Sequence, residues 1–245
     1  DRIYITAPES GELAIVDAQN LSVIKKVKVG EGPLGIAVHP SDGRIFVADW
    51  YQHRLYCIDP LSLEISTHIP VGLSPSGVAV TPDGATILTA DRDSDQVSVI
   101  DTHTLSVQGT IKTGGRPFGV TIDDQGKKAY TANVKTDDVT VLDLENLKSE
   151  KTIPVGHRPY AIAITQGRLF VTNQYDGTVS VLEERTGALL ARIRVGSYPE
   201  GIDAERGGRF VYVACWDDNV LVKIDSEALK VVSKINVGEG PRAFG

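Results

Sequence analysis

The sequence predicts an all-β fold, a β-propeller of four-stranded antiparallel blades. Three observations support this: glycine recurs every 40 or 42 residues, proline follows each glycine by three positions, and each interval holds four short β-prone runs. The recurring glycines are Gly30, Gly72, Gly114, Gly156, Gly196 and Gly238. The prolines are Pro33, Pro75, Pro117, Pro159, Pro199 and Pro241. Such a period with glycine and proline punctuation is typical of units that stack on one another.

The unit from Pro75 to Gly114 shows how each repeat divides into strands. Four runs rich in valine, isoleucine and threonine are separated by a Pro-Asp-Gly turn, a polar loop and an Asp-Thr-His-Thr turn. These residue types favour strands, and the turn residues mark their ends. Helical periodicity is absent from the unit. Four antiparallel strands of this length make one propeller blade.

We expect a single domain over residues 1–245, divided into six blades. The chain begins in the second strand of a unit and ends at the start of a first strand, so pairing the two ends in one sheet would close the ring. About eight residues of the expected first strand and its turn are missing at this join, which leaves trimmed ends, a short inner strand in blade 1 or a seventh blade as alternatives. The blades are 1–30 with 239–245, 31–72, 73–114, 115–156, 157–196 and 197–238.

Each first strand carries a small residue two positions after its proline. These residues are Gly35, Gly77, Gly119, Ala161, Gly201 and Ala243. Side chains alternate between the faces of a strand, so one face near the axis is nearly bare and the other is bulky. We expect the bulky face of one blade to fill the bare face of the next. Asp203 stands where Ala37, Ala79 and Ala163 stand in other units, which places it at the channel wall or in a buried ion pair.

Composition excludes several classes of protein. The net charge of −7 and the lack of a basic cluster argue against a nucleic-acid partner, and no apolar run is long enough to insert into a membrane. The chain contains no methionine, so we expect that it has been processed or trimmed. One alternative is that it is part of a larger chain. Cys57 falls in blade 2 and Cys215 in blade 6, and blade 1 separates them, so we expect two buried, unpaired thiols.

The second strands carry a repeat motif that resembles a known family. They read Ile-Phe-Val-Ala-Asp at 45–49, Ala-Tyr-Thr-Ala-Asn at 129–133 and Leu-Phe-Val-Thr-Asn at 169–173. This closely resembles the YVTN-type β-propeller repeats of surface-layer and periplasmic proteins, and blade 2 is also similar to an NHL repeat. The resemblance implies a prokaryotic, extracytoplasmic (periplasmic, surface or secreted) propeller that binds partners or serves as a scaffold. A minority of related propellers are metal-dependent lactonases or a streptogramin lyase.

The strand order assigns the connecting loops to two faces. The Gly-x-x-Pro loops and the loops between second and third strands share one face, which we call the loop face; the two hairpin turns share the other, the turn face. Acidic residues open one set of turns on the turn face and are expected to cap backbone N–H groups there. They are Asp17, Asp59, Asp101, Asp143, Glu183 and Asp225. We expect His39, His68 and His103 to be solvated.

The loop face gathers aromatic and arginine side chains where the repeats differ from one another. Such residues are typical of binding hot spots, so we predict that this face holds a protein or another extended ligand, with no catalytic residue and no cofactor. The predicted contact residues are Trp50, Tyr51, His53, Arg92, Arg116, Phe118, His157, Arg158, Tyr160, Tyr175, Tyr198, Glu200, Trp216 and Arg242. Among them Arg116, Arg158 and Arg242 can bind carboxylates or phosphates through two hydrogen bonds.

An alternative hypothesis is a metal-dependent hydrolase or lyase of the lactonase type. Equivalent second strands end in Asp49, Asp91, Asn133 and Asn173, and such a ring of oxygen atoms could hold Ca²⁺ or Mg²⁺ at the central channel. Glu200 or Glu31 would lie near it, with His157 as the general base. Against it, Asp or Asn at this position belongs to the repeat itself, and Ala7 and Cys215 interrupt the ring. A third hypothesis, compatible with binding, is a structural array domain of a larger surface protein.

Overall fold

A computed structural model describes residues 1–242 and shows the predicted six-bladed propeller. Within this range the strands form one three-stranded sheet and five four-stranded sheets, and all paired strands are antiparallel. The predicted pairing of the two chain ends falls on residues 243–245, which lie outside the described residues. Residues 239–242 form no strand. Blade 1 therefore shows only its second, third and fourth strands.

The strand bounds follow the repeat. Blade 1 holds β1 (Arg2–Ala7), β2 (Glu12–Asp17) and β3 (Val23–Lys28). Blade 2 holds β4 (Pro33–Val38), β5 (Ile45–Asp49), β6 (Arg54–Ile58) and β7 (Ile65–Pro70). Blade 3 holds β8 (Pro75–Val80), β9 (Thr86–Asp91), β10 (Gln96–Asp101) and β11 (Ser106–Lys112). Each strand pairs with the next one along the chain, so every blade is a meander.

The remaining blades repeat this order. Blade 4 holds β12 (Pro117–Ile122), β13 (Lys128–Asn133), β14 (Asp138–Asp143) and β15 (Lys148–Pro154). Blade 5 holds β16 (Pro159–Thr165), β17 (Arg168–Asn173), β18 (Thr178–Glu183) and β19 (Leu189–Arg194). Blade 6 holds β20 (Pro199–Ala204), β21 (Phe210–Cys215), β22 (Val220–Asp225) and β23 (Lys230–Asn236). In the part of the chain that the structure describes, the single helical turn is the 3₁₀ segment Arg92–Ser94, and no helix could cross a membrane.

The first strands of successive blades pack side by side around the axis, and their small residues allow it. A Cβ added at Gly77 would lie 2.7 Å from the carbonyl oxygen of Phe118 and 3.0 Å from the nitrogen of Val120. A Cβ at Gly119 would lie 2.7 Å from the carbonyl oxygen of Tyr160. The small residues therefore meet the backbone of the next first strand, and not a bulky side-chain face as the sequence suggested.

The core consists of separate hydrophobic clusters, most of them formed where adjacent blades meet. Between blades 2 and 3, for example, Phe46, Leu55 and Ile69 pack against Ile87 and Ile100, all of them buried. Blades 2 to 5 thus bury one face against the predecessor and the other against the successor, whereas blade 6 leaves Ile235 exposed and blade 1 leaves Ile5 exposed. Each of the outer fourth strands of blades 2, 3 and 4 buries one residue, and most of its remaining residues are exposed, as expected for charged edge strands.

The turn face largely agrees with the sequence predictions. The Asp59 carboxylate accepts hydrogen bonds from the backbone nitrogens of Leu61 and Ser62 at 2.9 and 2.7 Å, and these bonds lower the pKa of Asp59. The acidic residues that open the equivalent turns of blades 1, 3, 4 and 6 accept the same pair of bonds. Asp203 is exposed at the channel wall.

Two further expectations concern isolated side chains. Cys57 and Cys215 are free and buried, as predicted. The expectation of a solvated His39 was wrong, because its ring is buried with Nε2 2.9 Å from the carbonyl oxygen of Gly84 in blade 3. His39 thereby joins the turns of two adjacent blades.

Gly77→Leu should lower the free energy of unfolding by about 1–3 kcal/mol or more, because its side chain would have to displace the neighbouring first strand. Gly238→Leu is the matched control, since a Cβ there would meet no atom within 4 Å. Urea unfolding of both variants measures the difference. Equal losses in the two variants would show that the approach of the first strands does not limit residue size.

Candidate functional site

The Gly-x-x-Pro loops hold the residue before the proline in a left-handed backbone conformation. The φ angles are +53° at Ser74, +57° at Arg116, +54° at Arg158 and +50° at Tyr198. This conformation costs a residue with a side chain roughly 1–2 kcal/mol, and glycine would avoid the cost. Large polar side chains are nevertheless kept at these positions, around the axis of the loop face.

The preceding blade holds these loops in place. The Asp95 carboxylate accepts a hydrogen bond from the backbone nitrogen of Arg116 at 2.7 Å, and Asp137 accepts one from Arg158 at 2.8 Å. In the equivalent place, Nδ1 of His53 accepts the backbone N–H of Ser74 at 3.0 Å. The loops that carry Ser74, Arg116 and Arg158 are thus each fixed by the second-to-third-strand loop of the preceding blade.

Three aromatic rings form a floor at the centre of the loop face, which we call the aromatic floor. Phe118 and Tyr160 stack with their ring centroids 4.1 Å apart, and Trp50 lies 6.2 Å from Phe118. Phe118 and Tyr160 are buried, together with Val134. These two predicted contact residues therefore support the surface from below, whereas Trp50 is half-buried.

A second aromatic group lies on blades 5 and 6 and is exposed. Tyr175 and Tyr198 meet edge to face at 5.8 Å, and Tyr198 meets Trp216 in the same way at 6.0 Å. All three side chains are open to solvent. We call these residues the aromatic row.

Arginine guanidinium groups lie over both aromatic groups. Arg92 lies 5.3 Å from the ring centroid of Trp50, Arg158 lies 4.9 Å from that of Tyr175, and Arg242 lies 5.0 Å from that of Trp216. Stacking of this kind fixes the plane of a guanidinium while leaving its edge available for hydrogen bonds.

The positive charges exceed the carboxylates that pair with them. Arg92 and Arg116 share Asp93, at 2.8 and 3.7 Å, and Arg242 Nε lies 3.0 Å from Glu200 Oε2. Within residues 1–242, Arg158 has no carboxylate within 4 Å; its Nη1 donates to the Tyr175 hydroxyl at 3.1 Å, and its buried Nε has no hydrogen-bond partner. We call Arg92, Arg116, Arg158 and Arg242 the arginine cluster.

Glu200 is a buried carboxylate within the cluster. Its Oε1 accepts a hydrogen bond from Nε2 of Gln174, which is buried as well. Burial raises the pKa of Glu200, while the positive charge of Arg242 and the bond from Gln174 oppose the rise. The Gln174 carbonyl oxygen is buried and has no hydrogen-bond partner among the described residues.

The charges of this site act on one another across the blades. Burial raises the pKa of Tyr160, and Glu200 adds to the rise while Arg242, Arg158 and Arg92 oppose it. Burial also lowers the pKa of Arg92; Asp93 opposes this, and the positive charges of Arg116 and Arg158 add to it. The arginine cluster therefore acts as one electrostatic site on the loop face.

Three of the predicted contact residues lie apart from this network. Tyr51 is exposed beside Gly32. His53 accepts the hydrogen bond from the backbone nitrogen of Ser74 in the Gly-x-x-Pro loop that follows its blade. His157 is exposed and pairs with Asp176 at 2.8 Å, which raises the pKa of the imidazole. Gln174 was not among the predicted contact residues, although it occupies the repeat position that holds Trp50, Arg92, Val134 and Trp216 in other blades.

Two members of the proposed oxygen ring hold the loop between blades. Asp49 accepts the backbone N–H groups of Glu31 and Gly32 at 3.1 and 3.0 Å. Asn173 accepts the backbone N–H of Gly156 at 3.0 Å. Both side chains are fully buried.

The other two members are bound to side chains of their own blades. Asp91 accepts the hydroxyls of Thr89 and Ser98 at 2.8 and 2.5 Å, and Asn133 accepts that of Thr131 at 3.0 Å. Over residues 1–242 no group of three or more His, Cys, Asp or Glu side chains is placed to hold a metal ion. The alternative metal site gains no support from this arrangement.

A cavity of about 280 Å³ runs along the first strands, from Phe118 to Asp124 and Asp203. Its wall is mostly backbone and aliphatic, with Gly77, Gly119 and the neighbouring isoleucines and valines. The charged and aromatic groups described above lie beyond its loop-face end, so the cavity supplies little chemistry of its own.

Comparison with known proteins agrees with this architecture. The family described as YNCE-like beta-propeller matches residues 84–244, and the NHL repeat matches residues 31–58. The structure is similar to Kuenenia stuttgartiensis hydrazine synthase, with a TM-score of 0.88 and 20% identity over 98% of this chain and 84% of that one. It is also similar to a functionally unknown protein from Desulfotomaculum acetoxidans, with a TM-score of 0.80 and 17% identity over 97% and 84% of the two chains.

The two similar structures are longer than the part that matches this chain. Because 98% of 245 residues makes up 84% of the first neighbour, about 45 residues of that chain lie outside the match, and the second neighbour gives the same figure. At 17–20% identity the likeness concerns the fold alone. No curated protein matches the chain in sequence.

Millimolar Ca²⁺ or Mg²⁺, added after EDTA treatment, should leave the melting temperature unchanged, because the Asp and Asn oxygens already accept hydrogen bonds. Thermal melts with and without the ions measure this. A rise of several degrees, the size produced by a ligand at about 100 times its Kd, would support the metal hypothesis instead.

Glu200→Gln should raise the melting temperature relative to the wild type more at pH 7 than at pH 4. The pKa of Glu200 is raised in the folded state, so the folded protein holds this proton more tightly and gains stability as the pH falls. Glutamine is neutral at both pH values and avoids the cost of a buried charge.

Glu145→Gln, at an exposed turn position, is the control and should show no such pH dependence. Thermal melts at the two pH values measure both variants. Identical behaviour of the two variants would contradict the assignment of a raised pKa to Glu200.

Proposed function

The chain belongs to the YNCE-like beta-propeller family, and from that premise we propose that it is a non-catalytic binding or scaffold propeller whose loop face holds an extended, anionic protein segment. The observation that carries the proposal is the arginine cluster: four guanidinium groups on the loop face, three of them over rings of the aromatic floor or the aromatic row, with two carboxylates beside them. The propeller fold supports a binding or scaffold role in general, because it is a rigid platform whose loops can vary.

The chemistry of the cluster selects the partner. Guanidinium groups bind carboxylates or phosphates through paired hydrogen bonds, and Arg158 has no carboxylate partner in the described part of the chain. The exposed aromatic row offers flat apolar surfaces beside these charges. Aromatic and arginine side chains together are the residues that contribute most to protein–protein affinity. We infer a partner with acidic side chains and at least one aromatic or aliphatic anchor.

The distribution of charge over the protein favours anionic partners at the loop face. The chain as a whole carries −7, so an anionic segment is repelled by most of the surface. The arginine cluster is a local exception at the axis, and such complementarity favours both orientation and rate of association. The segment would be held at the cluster and extend across blades 5 and 6 toward Trp216.

The backbone conformation of the loops supports the same proposal. Arg116 and Arg158 occupy left-handed positions that glycine would fill without cost. Strained positions cluster at functional sites, where the surrounding structure enforces them, as Asp95 and Asp137 do here. We propose that the strain is kept because it directs these two side chains into the arginine cluster. We further propose a location outside the cytoplasm, on the resemblance to YVTN-type repeats alone.

A direct test uses two fluorescent hexapeptides, one of alternating glutamate and tyrosine and one with lysine in place of glutamate. Fluorescence anisotropy should show binding of the acidic peptide only, weakening as salt rises. Arg158→Gly should weaken it about tenfold or more, the effect of losing one charge-assisted contact. The substitution also relieves the left-handed strain, so the melting temperature should stay the same or rise.

Arg206→Gly, at an exposed turn position on the turn face, is the control and should bind like the wild type. Equal affinity for the acidic and basic peptides, or an Arg158→Gly variant that melts normally and binds fully, would contradict the proposed function.

A further inference from the structure

The loop between blades 5 and 6 lacks a hydrogen bond that the other Gly-x-x-Pro loops have. In those loops the backbone nitrogen of the residue before the proline donates to a side chain of a neighbouring loop or strand end. The acceptors are Asp49 for Gly32 at 3.0 Å, His53 for Ser74 at 3.0 Å, Asp95 for Arg116 at 2.7 Å, Asp137 for Arg158 at 2.8 Å and Asn219 for Gly240 at 2.8 Å. Within residues 1–242 the backbone nitrogen of Tyr198 has no such acceptor.

Two departures from the repeat account for the missing bond. Gly177 stands directly before a third strand, at the position that carries the acceptor side chain in blades 2, 3, 4 and 6. Cys215 ends the second strand of blade 6, as Asp49 ends that of blade 2, and a thiol is a weak acceptor. The N–H group of Tyr198 therefore takes its acceptor from solvent or from a ligand, because an unpaired backbone donor is costly.

A crevice of about 160 Å³ lies at this place between blades 5 and 6. Gly177, Gly196, Ser197 and Tyr198 line one part of it, and a Cβ at Gly177 would lie 2.6 Å from the carbonyl oxygen of Gly196. Tyr175 also lines it, with its ring 5.8 Å from that of Tyr198. Since a cavity of about 150 Å³ holds a benzene molecule, the crevice is large enough for a small organic ion.

Two charged side chains that line the crevice have no partner among residues 1–242. They are Arg194 and Asp217, which are both exposed and lie more than 4 Å from each other. The third charged residue of the crevice, Asp176, is already engaged, because its carboxylate oxygens lie 2.9 and 2.8 Å from the backbone nitrogen and Nδ1 of His157. A ligand that carries both charges can pair with Arg194 and Asp217 at once.

We propose that this crevice binds a small zwitterion, a free α-amino acid, whose carboxylate takes the role of the missing side-chain acceptor. The carboxylate accepts the N–H of Tyr198 and pairs with Arg194, while the ammonium group pairs with Asp217. A carboxylate is the group that the repeat itself uses here, since Asp95 and Asp137 fill this role in blades 3 and 4. Bonds from a guanidinium to a carboxylate are among the strong hydrogen bonds of proteins.

The two charges of the crevice select against simpler ions. Asp217 repels a ligand that carries only a carboxylate, and Arg194 repels one that carries only an ammonium group, so each binds more weakly than the zwitterion. This site goes beyond the proposed function, because none of its charged residues belongs to the arginine cluster.

The test uses L-alanine as the probe, with propionate and ethylamine as controls that keep one charge each. In a ¹⁵N-resolved NMR titration the Tyr198 amide proton should move downfield and saturate as alanine is added at millimolar concentrations. The amide of Arg116, which already donates to Asp95, should not move. Propionate should bind at least about tenfold more weakly than alanine, and ethylamine should leave the Tyr198 amide unchanged.

Two variants test the charges. Arg194→Gln and Asp217→Asn alter exposed side chains, so both should melt like the wild type, and each should weaken alanine binding about tenfold or more. Arg206→Gln and Glu145→Gln, at exposed positions on the turn face, are the matched controls and should bind alanine like the wild type.

Three outcomes would overturn the proposal. One is a Tyr198 amide that does not respond to alanine, which would mean that solvent supplies its acceptor. Another is alanine binding that Arg194→Gln and Asp217→Asn leave unchanged. The third is propionate that binds as tightly as alanine, which would make the crevice a site for carboxylates and not for zwitterions.

Discussion

A buried Asp or Asn at the end of the second strand is the interaction on which the placement of blades 2 to 5 depends. Asp49 accepts the backbone N–H groups of Glu31 and Gly32 and so fixes the loop that leads into the first strand. The repeat glycine before that loop packs directly against this side chain, as Gly72 does against Asp91, with no space for a Cβ. The period visible in the sequence is therefore the period of this contact between side chain and loop.

This contact separates the residues that hold the ring from the residues that are free to vary. A buried carboxylate or amide that accepts several hydrogen bonds is satisfied and contributes little further chemistry. The residue that follows it in the chain does not hold a loop, and Trp50, Arg92 and Gln174 occupy that position. Trp216 occupies the equivalent position after Cys215. The loop face owes its diversity to these unconstrained neighbours of constrained positions.

Rigidity and charge act together on that face. The loops that carry Arg116 and Arg158 are held by hydrogen bonds from the preceding blade, so their guanidinium groups lose little freedom when they bind. Stacking on aromatic rings orders the other guanidinium groups in the same way. A partner would then meet a preformed positive site on a protein that is otherwise acidic. Such preorganisation is the main advantage that a propeller offers as a binding platform.

The sequence by itself determined the all-β class, the repeat, the four strands of each blade and the division into loop face and turn face, because these depend on local periodicity and turn residues. It also placed the aromatic and arginine residues on one face. Only the tertiary structure decided that Phe118 and Tyr160 lie buried as a floor, that Glu200 pairs with Gln174 and Arg242, and that blades 6 and 1 leave Ile235 and Ile5 exposed. These features depend on contacts between residues from different blades, which a period along the chain does not encode.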